Sequence, residues 1–170
     1  LLVVKVNNSR LNGVLHPAVA QLHELCRGHE HIRILDEVLS YQDVLCLYAS
    51  CDAFISMHRS EGLGLGLMEA MALGKPVIAT AWSGNMSFMD HTNSCLVGYE
   101  LIPVQSDLPV YSQRYLGKAA NWADPSIEHA AAWIQELTRN ATIREDIGRH
   151  AADSMARYQA SAKEGRFLDE

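Results

Sequence analysis

Positive charge is scarce in this sequence: 14 Lys and Arg stand against 20 Asp and Glu, for a net charge of -6. Such a balance offers no broad cationic surface to a phosphate backbone, so no nucleic-acid partner is expected. Long hydrophobic runs are missing too. No window reaches the ~18 apolar residues of a membrane span, and no signal-peptide pattern is visible. A cytoplasmic setting is therefore expected. Cysteine is sparse: Cys26, Cys46, Cys51 and Cys95 form no C-x-x-C pair, and three lie in apolar segments. They read as buried free thiols in a reducing compartment, not as a disulfide framework or a zinc site. The histidines show no metal-ligand spacing, and no metal is expected. The G-x-G-x-x-G dinucleotide fingerprint and a Walker lysine are both absent.

What is present is a globular composition, 48% hydrophobic and 20% charged over 170 residues, enough for one domain with a substantial core. The chain opens without Met on "LLVVKV", an apolar run, and reads as a piece of a longer protein. Strand and helix then alternate. Residues 1–6 form a short buried strand. Pro17 opens a helix to about residue 27, which Gly28 stops. "HIRIL" is a second strand, and Ser40 with Asp43 caps a second helix. "DAFISM", "PVIAT" and "SCLVGY" are further strands, with helix "LGLMEAMAL" and a short helical piece, "NMSFMDH", between them. Methionines in such a helix read as core. This alternation predicts an α/β fold: a Rossmann-like, three-layer α/β/α domain built on a parallel sheet. Residues 1–99 form its core and 100–121 an extended excursion. Residues 122–160 carry appended C-terminal helices and 161–170 a frayed tail. In the first of those helices Asp124 is the expected cap and Pro125 the first helical residue. Ile127, Ala131, Ile134 and Leu137 are the expected buried stripe.

One stretch carries chemistry: "HRSEGLGLGLMEAMALGKP", residues 58–76. Gly62, Gly64 and Gly66 alternate between Glu61 and Glu69, directly before a helix. In an open parallel sheet, ligands bind beyond the carboxyl ends of the strands, where this stretch falls. Glycines leave backbone amides uncovered, and a helix start adds free N–H groups and a positive dipole end. Together they can seat a phosphate or a sugar hydroxyl. Each carboxylate can accept two hydroxyl donors, matching a vicinal diol. The alternative is an ordinary loop with surface glutamates.

At these residues the sequence resembles the E-x7-E segment of retaining GT-B glycosyltransferases of the group 1, family 4 class, with its pattern E-G-F-G-L-P-x-x-E-A-x-A-x-G-x-P-V-V-A. Glu61, Gly62, Gly64, Glu69, Ala70, Gly74, Pro76 and Val77 match. "YASCDAFISMHRSEG" resembles the preceding Y-x-x-A-D-x-F-x-x-P-S-x-x-E-G. The resemblance covers roughly residues 32–97 and implies the C-terminal, donor-binding half of a GT-B fold. It implies a nucleotide-diphosphate sugar, UDP- or GDP-linked, as donor and no further cofactor. Glu69 would bind the ribose and Glu61 would act at the sugar. Backbone amides of Gly62, Leu63, Gly64 and Leu65 would contact sugar and diphosphate. Leu35, Asp36, Glu37 and Val38 would line a base pocket, or form a plain strand-end turn. The intact enzyme would transfer the sugar to an acceptor hydroxyl with retention.

Departures limit the carry-over. Leu63 replaces the usual Phe and Gly66 the usual Pro. "SGNMS" stands where the family has G-G-x-P-E, with Ser87 in place of the glutamate. The family's G-R-x-x-x-x-K-G element, whose cations hold the diphosphate, is not present. It and an N-terminal acceptor-binding domain would precede this segment. That domain leaves peripheral membrane contact open, and the fragment alone is expected to be inactive. On the same rim, Arg59 reaches either a phosphate, Glu61 or solvent, and His58 either the donor or structural partners. Asn85 reads as a cap, and Trp82, Trp122 and Trp133 as packing residues. Rival readings are a GT-B-like epimerase or phosphorylase and a non-catalytic Rossmann-like interaction module. A nicotinamide oxidoreductase is disfavoured by the missing fingerprint.

Overall fold

The computed structural model describes residues 1–7, 9–104 and 120–163. The chain divides into two compact units, Leu1–Val44 and Leu45–Glu170. In the first, β1 (Leu2–Lys5) pairs in parallel with β4 (Ile32–Leu35). Between them lie a hairpin, β2 (Arg10–Leu11) and β3 (Val14–Leu15), and helix α1 (Pro17–Leu25). The hairpin was not anticipated, although its signal is local. Asn12 and Gly13 adopt φ of 52° and 80°, the positive pair that a two-residue Asn-Gly turn supplies. Pro17 opens α1 as expected, and the His16 ring accepts from the Ala18 N–H at 3.2 Å.

Helix α2 (Tyr41–Ser50) begins with the expected capping pair: the Ser40 hydroxyl accepts from the Asp43 N–H at 3.1 Å. The second unit is built on a parallel sheet, β5 (Phe54–Ser56), β6 (Val77–Thr80) and β7 (Cys95–Val97), in that order. Its faces follow strand alternation. Val77, Ala79 and Leu96 point to one side and meet Leu67, Ala70 and Met71 of α3 (Leu65–Ala72). Ile78, Cys95 and Val97 point to the other, against Ala130 and Leu137 of α4 (Ile127–Arg139). Every residue of β6 is buried, as a central parallel strand covered on both faces requires.

Helix α5 (Ala141–Lys163) joins both faces. Ile143 and Ile147 pack with the α4 layer, and Ala151 and Met155 with the α3 layer. It crosses at Gly148, where a Cβ would stand 2.3 Å from the Gly74 carbonyl oxygen. Gly74 closes α3 in a Schellman motif: its N–H reaches the Met71 carbonyl at 2.9 Å, and the Lys75 N–H reaches Ala70 at 3.0 Å. Helix α5 therefore passes the amino end of β6.

Several expectations need correction. The excursion over 100–121 is bounded by strands: β8 (Tyr99–Pro103) pairs antiparallel with β9 (Asn121–Pro125). Residues 105–119 of that excursion, and 164–170 of the expected tail, lie outside the described residues; the rest of the tail, 161–163, continues α5. Asp124 and Pro125 belong to β9, so the cap of α4 is Ser126, whose hydroxyl accepts from the His129 N–H at 3.1 Å. The buried stripe is rotated accordingly. Ile127 is 76% and Ile134 42% exposed, whereas Ala130 and Leu137 are buried. The Trp133 indole donates to the Leu96 carbonyl at 3.1 Å, and the His129 ring accepts from the Gly98 N–H at 3.0 Å. These two bonds to the β7 end set which side of α4 faces inward. Finally, all four cysteines are thiols outside any disulfide, but only Cys95 is buried; Cys46 is exposed, and Cys26 and Cys51 are partly so. An amphipathic helix can hold an apolar-looking cysteine on its outer face.

Candidate functional site

At the carboxyl end of β5 the chain turns through His58, Arg59, Ser60 and Glu61 into the glycine loop. His58 is half-buried and ties this turn to the one after β6. One ring nitrogen, Nδ1, lies 3.1 Å from the Ser56 hydroxyl. The other, Nε2, lies 3.1 Å from the Trp82 carbonyl and 3.2 Å from Asn85 Oδ1. Two acceptors assign the proton to Nε2, leaving Nδ1 to accept from Ser56. Asn85 is fully buried and its amide donates to the Thr80 carbonyl at 3.0 Å. Its side chain is thus a brace between the strand ends, not the helix cap expected for it. The short 3₁₀ turn it belongs to spans Gly84–Ser87.

Arg59 leans toward β9. Its guanidinium pairs with Asp124 at 3.1 Å and lies 5.0 Å from the centroid of the Trp122 ring. Its carbonyl accepts from the Ala123 N–H at 2.9 Å. Both charged partners are about half exposed, so the pair contributes little to stability. Trp82 meets Tyr99 at 5.3 Å between ring centroids. The strand pair β8–β9 is thereby fastened to the rim on the Arg59 side. Sequence reasoning missed this because the pairing of residues 99 and 125 leaves no local trace.

The glycine loop itself is open. Gly62, Leu63 and Leu65 are exposed, and Glu61 and Glu69 are half-buried. Gly64, at φ 89° and ψ 51°, is the N-cap of α3, with no side-chain cap bond. That left-handed conformation suits glycine alone, and a Cβ there would stand 2.8 Å from Leu67 Cδ1. The start of α3 therefore has no side-chain cap, and the positive end of the helix dipole lies there. Glu61 Oε1 accepts from the Gly62 N–H at 3.1 Å. The pair Glu61 and Glu69 thus brackets an amide-rich helix start, Glu69 standing within its second turn.

A second turn packs beneath the loop. The Gly84 N–H donates to the Glu61 carbonyl at 3.1 Å. A Cβ on Gly84 would lie 1.6 Å from the Gly62 carbonyl oxygen, so only glycine permits this approach. Ser83 precedes it at φ 85° and ψ -152°, a region that side chains rarely enter. That conformation accounts for the glycine of the G-G-x-P-E pattern at this position, which was the available signal. Leu35 ends β4 in the other unit, and Asp36, Glu37 and Val38 follow it as exposed residues. Two open recesses of about 410 and 420 Å³ flank β9 and α4, the first against Glu100 and Glu128, the second against Ile55 and Ile134. Neither is lined by Glu61 or Glu69. Among the described residues no cluster of His, Cys, Asp and Glu could hold a metal, and no helix is long and apolar enough to cross a membrane.

The family described as "Glycosyl transferases group 1" matches residues 11–103. No curated protein matches the chain. Among solved structures, the GtfA/B complex is 21% identical over 83% of this chain and 24% of its own, with a TM-score of 0.53. HepE of Anabaena, solved with UDP-glucose, is 22% identical over 86% of this chain and 36% of its own, at a TM-score of 0.48. The pneumococcal O-GlcNAc transferase GtfA, solved with UDP and GlcNAc, is 19% identical over 90% of this chain and 28% of its own, at 0.44. The chain thus spans about a third or less of these proteins. The GtfA/B match agrees with the Rossmann-like α/β/α arrangement described above.

Proposed function

Because the chain belongs to the group 1 glycosyl transferases, we propose that it is the donor-binding portion of a retaining enzyme and seats a nucleotide-diphosphate sugar on the rim beyond β5 and β6. The uncapped start of α3 between two half-buried carboxylates carries this reading. Anionic phosphate oxygens complement the open amides and the dipole of α3. Glu69 accepts the vicinal hydroxyls of the ribose, and Glu61, at the other end of the loop, faces the sugar. In the transfer, the acceptor hydroxyl oxygen bonds to the anomeric carbon while the bond from that carbon to the diphosphate oxygen breaks. The hydroxyl proton leaves with the diphosphate. The amides of residues 63–65, joined by that of Gly62 once Glu61 Oε1 releases it, stabilise the negative charge that grows on the leaving group, and orientation contributes the rest. A second domain supplies the acceptor. His58 serves by fixing the rim, since its ring is engaged within the protein. Arg59 reaches a phosphate only by giving up Asp124.

Titration calorimetry with UDP, GDP and NAD tests this. A uridine or guanosine diphosphate should bind, and Glu69→Ala should weaken it roughly 10- to 100-fold, the equivalent of losing about 1.5–3 kcal/mol of charged hydrogen bonding. Binding of NAD alone, silence toward both diphosphates, or affinity indifferent to Glu69→Ala refutes the reading.

A further inference from the structure

Ser83 sits where its side chain ought to be a liability. At φ 85° and ψ -152° a Cβ is strained, and glycine would be at ease. The hydroxyl is nonetheless fully used. It accepts from the Glu61 N–H at 2.9 Å and donates to the Glu61 carbonyl. One side chain thus grips both backbone groups of a residue 22 positions away. The adjoining Gly84 N–H donates to that same carbonyl at 3.1 Å. Gly84 also abuts the Gly62 carbonyl too closely for any side chain. The backbone of Glu61 is therefore held from one side, while its half-buried carboxylate belongs to the loop that meets the donor.

We propose that Ser83 is a positioning residue, which sets the sugar-facing carboxylate of Glu61 by clamping its backbone. This rests on the donor-binding reading above. A small misplacement of a group that orients substrate is costly in affinity for the part it contacts. The nucleotide end, held by Glu69, should be indifferent to Ser83. The device separates the two halves of the ligand: Glu69 senses the nucleoside, Ser83 and Glu61 sense the sugar.

The test uses two substitutions with opposite effects on strain. Ser83→Gly removes the hydroxyl and relieves the backbone; Ser83→Ala removes the hydroxyl and keeps the strain. Amide hydrogen exchange without ligand is measured first. Both variants should speed exchange at the Glu61 amide about tenfold or more, through loss of its acceptor. Affinities for UDP against UDP-glucose, and GDP against GDP-mannose, are measured next. Both variants should keep the affinity for the bare diphosphate and lose about tenfold in the preference for its sugar ester. Unchanged exchange at Glu61 overturns the clamp. A sugar preference retained in Ser83→Gly, while Glu69→Ala still weakens both ligands, overturns the positioning role and leaves the donor reading standing. A loss seen with Ser83→Ala but not Ser83→Gly assigns the effect to strain and overturns the proposal. No diphosphate or sugar ester bound by the unsubstituted chain overturns both.

Discussion

Gly84→Ala should couple the stability of this fold to its candidate site. The new Cβ would lie 1.6 Å from the Gly62 carbonyl oxygen and 2.5 Å from its carbon. Separations below 3.0 Å are essentially never seen for real Cβ atoms, so the two turns must part by at least about 1.4 Å (3.0 minus 1.6). Both contacts are backbone, which cannot swing aside as a side chain can. Overpacking of this kind costs about 1–3 kcal/mol. Parting the turns also breaks the bond from the Gly84 N–H to the Glu61 carbonyl, worth about 1 kcal/mol. The sum is about 2–4 kcal/mol, or a fall in Tm of roughly 5–15 °C for a chain of this size. Thermal unfolding followed by circular dichroism reads the loss. Backbone amide shifts should localise it to residues 61–64 and 83–85. Gly62→Ala is the matched control, because a Cβ there meets nothing within 4 Å. It should leave Tm nearly unchanged while intruding on the exposed loop where the donor is proposed to lie. A Gly84→Ala protein with unaltered Tm and unaltered Glu61 and Gly62 amides would refute the packing argument.

Met71→Ala, which empties a fully buried position between α3 and β6, should cost about 2–5 kcal/mol in urea denaturation. Ser126→Ala should cost about 1 kcal/mol as the loss of a helix cap, and Asp124→Ala no more than an exposed ion pair; the reverse order would restore Asp124 as the cap. Burial pushes the Cys95 thiol up from 9.0 to about 12. Its thiolate therefore forms first in the unfolded chain, so its contribution to stability is intact below about pH 9 and lost as pH climbs toward 12. Native-state alkylation at pH 8 should accordingly label exposed Cys46 and spare Cys95 until unfolding; equal labelling rates would contradict the burial. A carboxylate effect is expected at the other end of the scale. Hydrogen bonds from Thr92 hold Asp90 below its ordinary value, so what this carboxylate adds is present above about pH 4 and lost on acidification. Asp90→Asn should lessen the acid sensitivity of the turn at 90–94, read by amide exchange.

Much of the architecture was legible from the chain alone, for a local reason. The strands at 32–35, 54–56 and 77–80 are short apolar runs, and their helices carry caps and stops in place: Ser40, Pro17, Gly74. Each signal acts within a few residues, so pattern and propensity suffice to read it. The acidic pair and its glycines were equally visible, because E-x7-E spacing and a helix start are local facts. Tertiary structure alone decided the rest. Whether α4 presents Ile134 or Ala130 to the sheet depends on Trp133 and His129 finding Leu96 and Gly98 at the end of β7, 37 and 31 residues upstream. Where α4 begins depends on Pro125 pairing with Tyr99. Ser83 looks like a plain loop serine until the fold brings Glu61 beneath its hydroxyl. Propensity is a property of neighbours along the chain; these choices are made by neighbours in space, whose contacts outweigh the few tenths of a kcal/mol that local preference supplies.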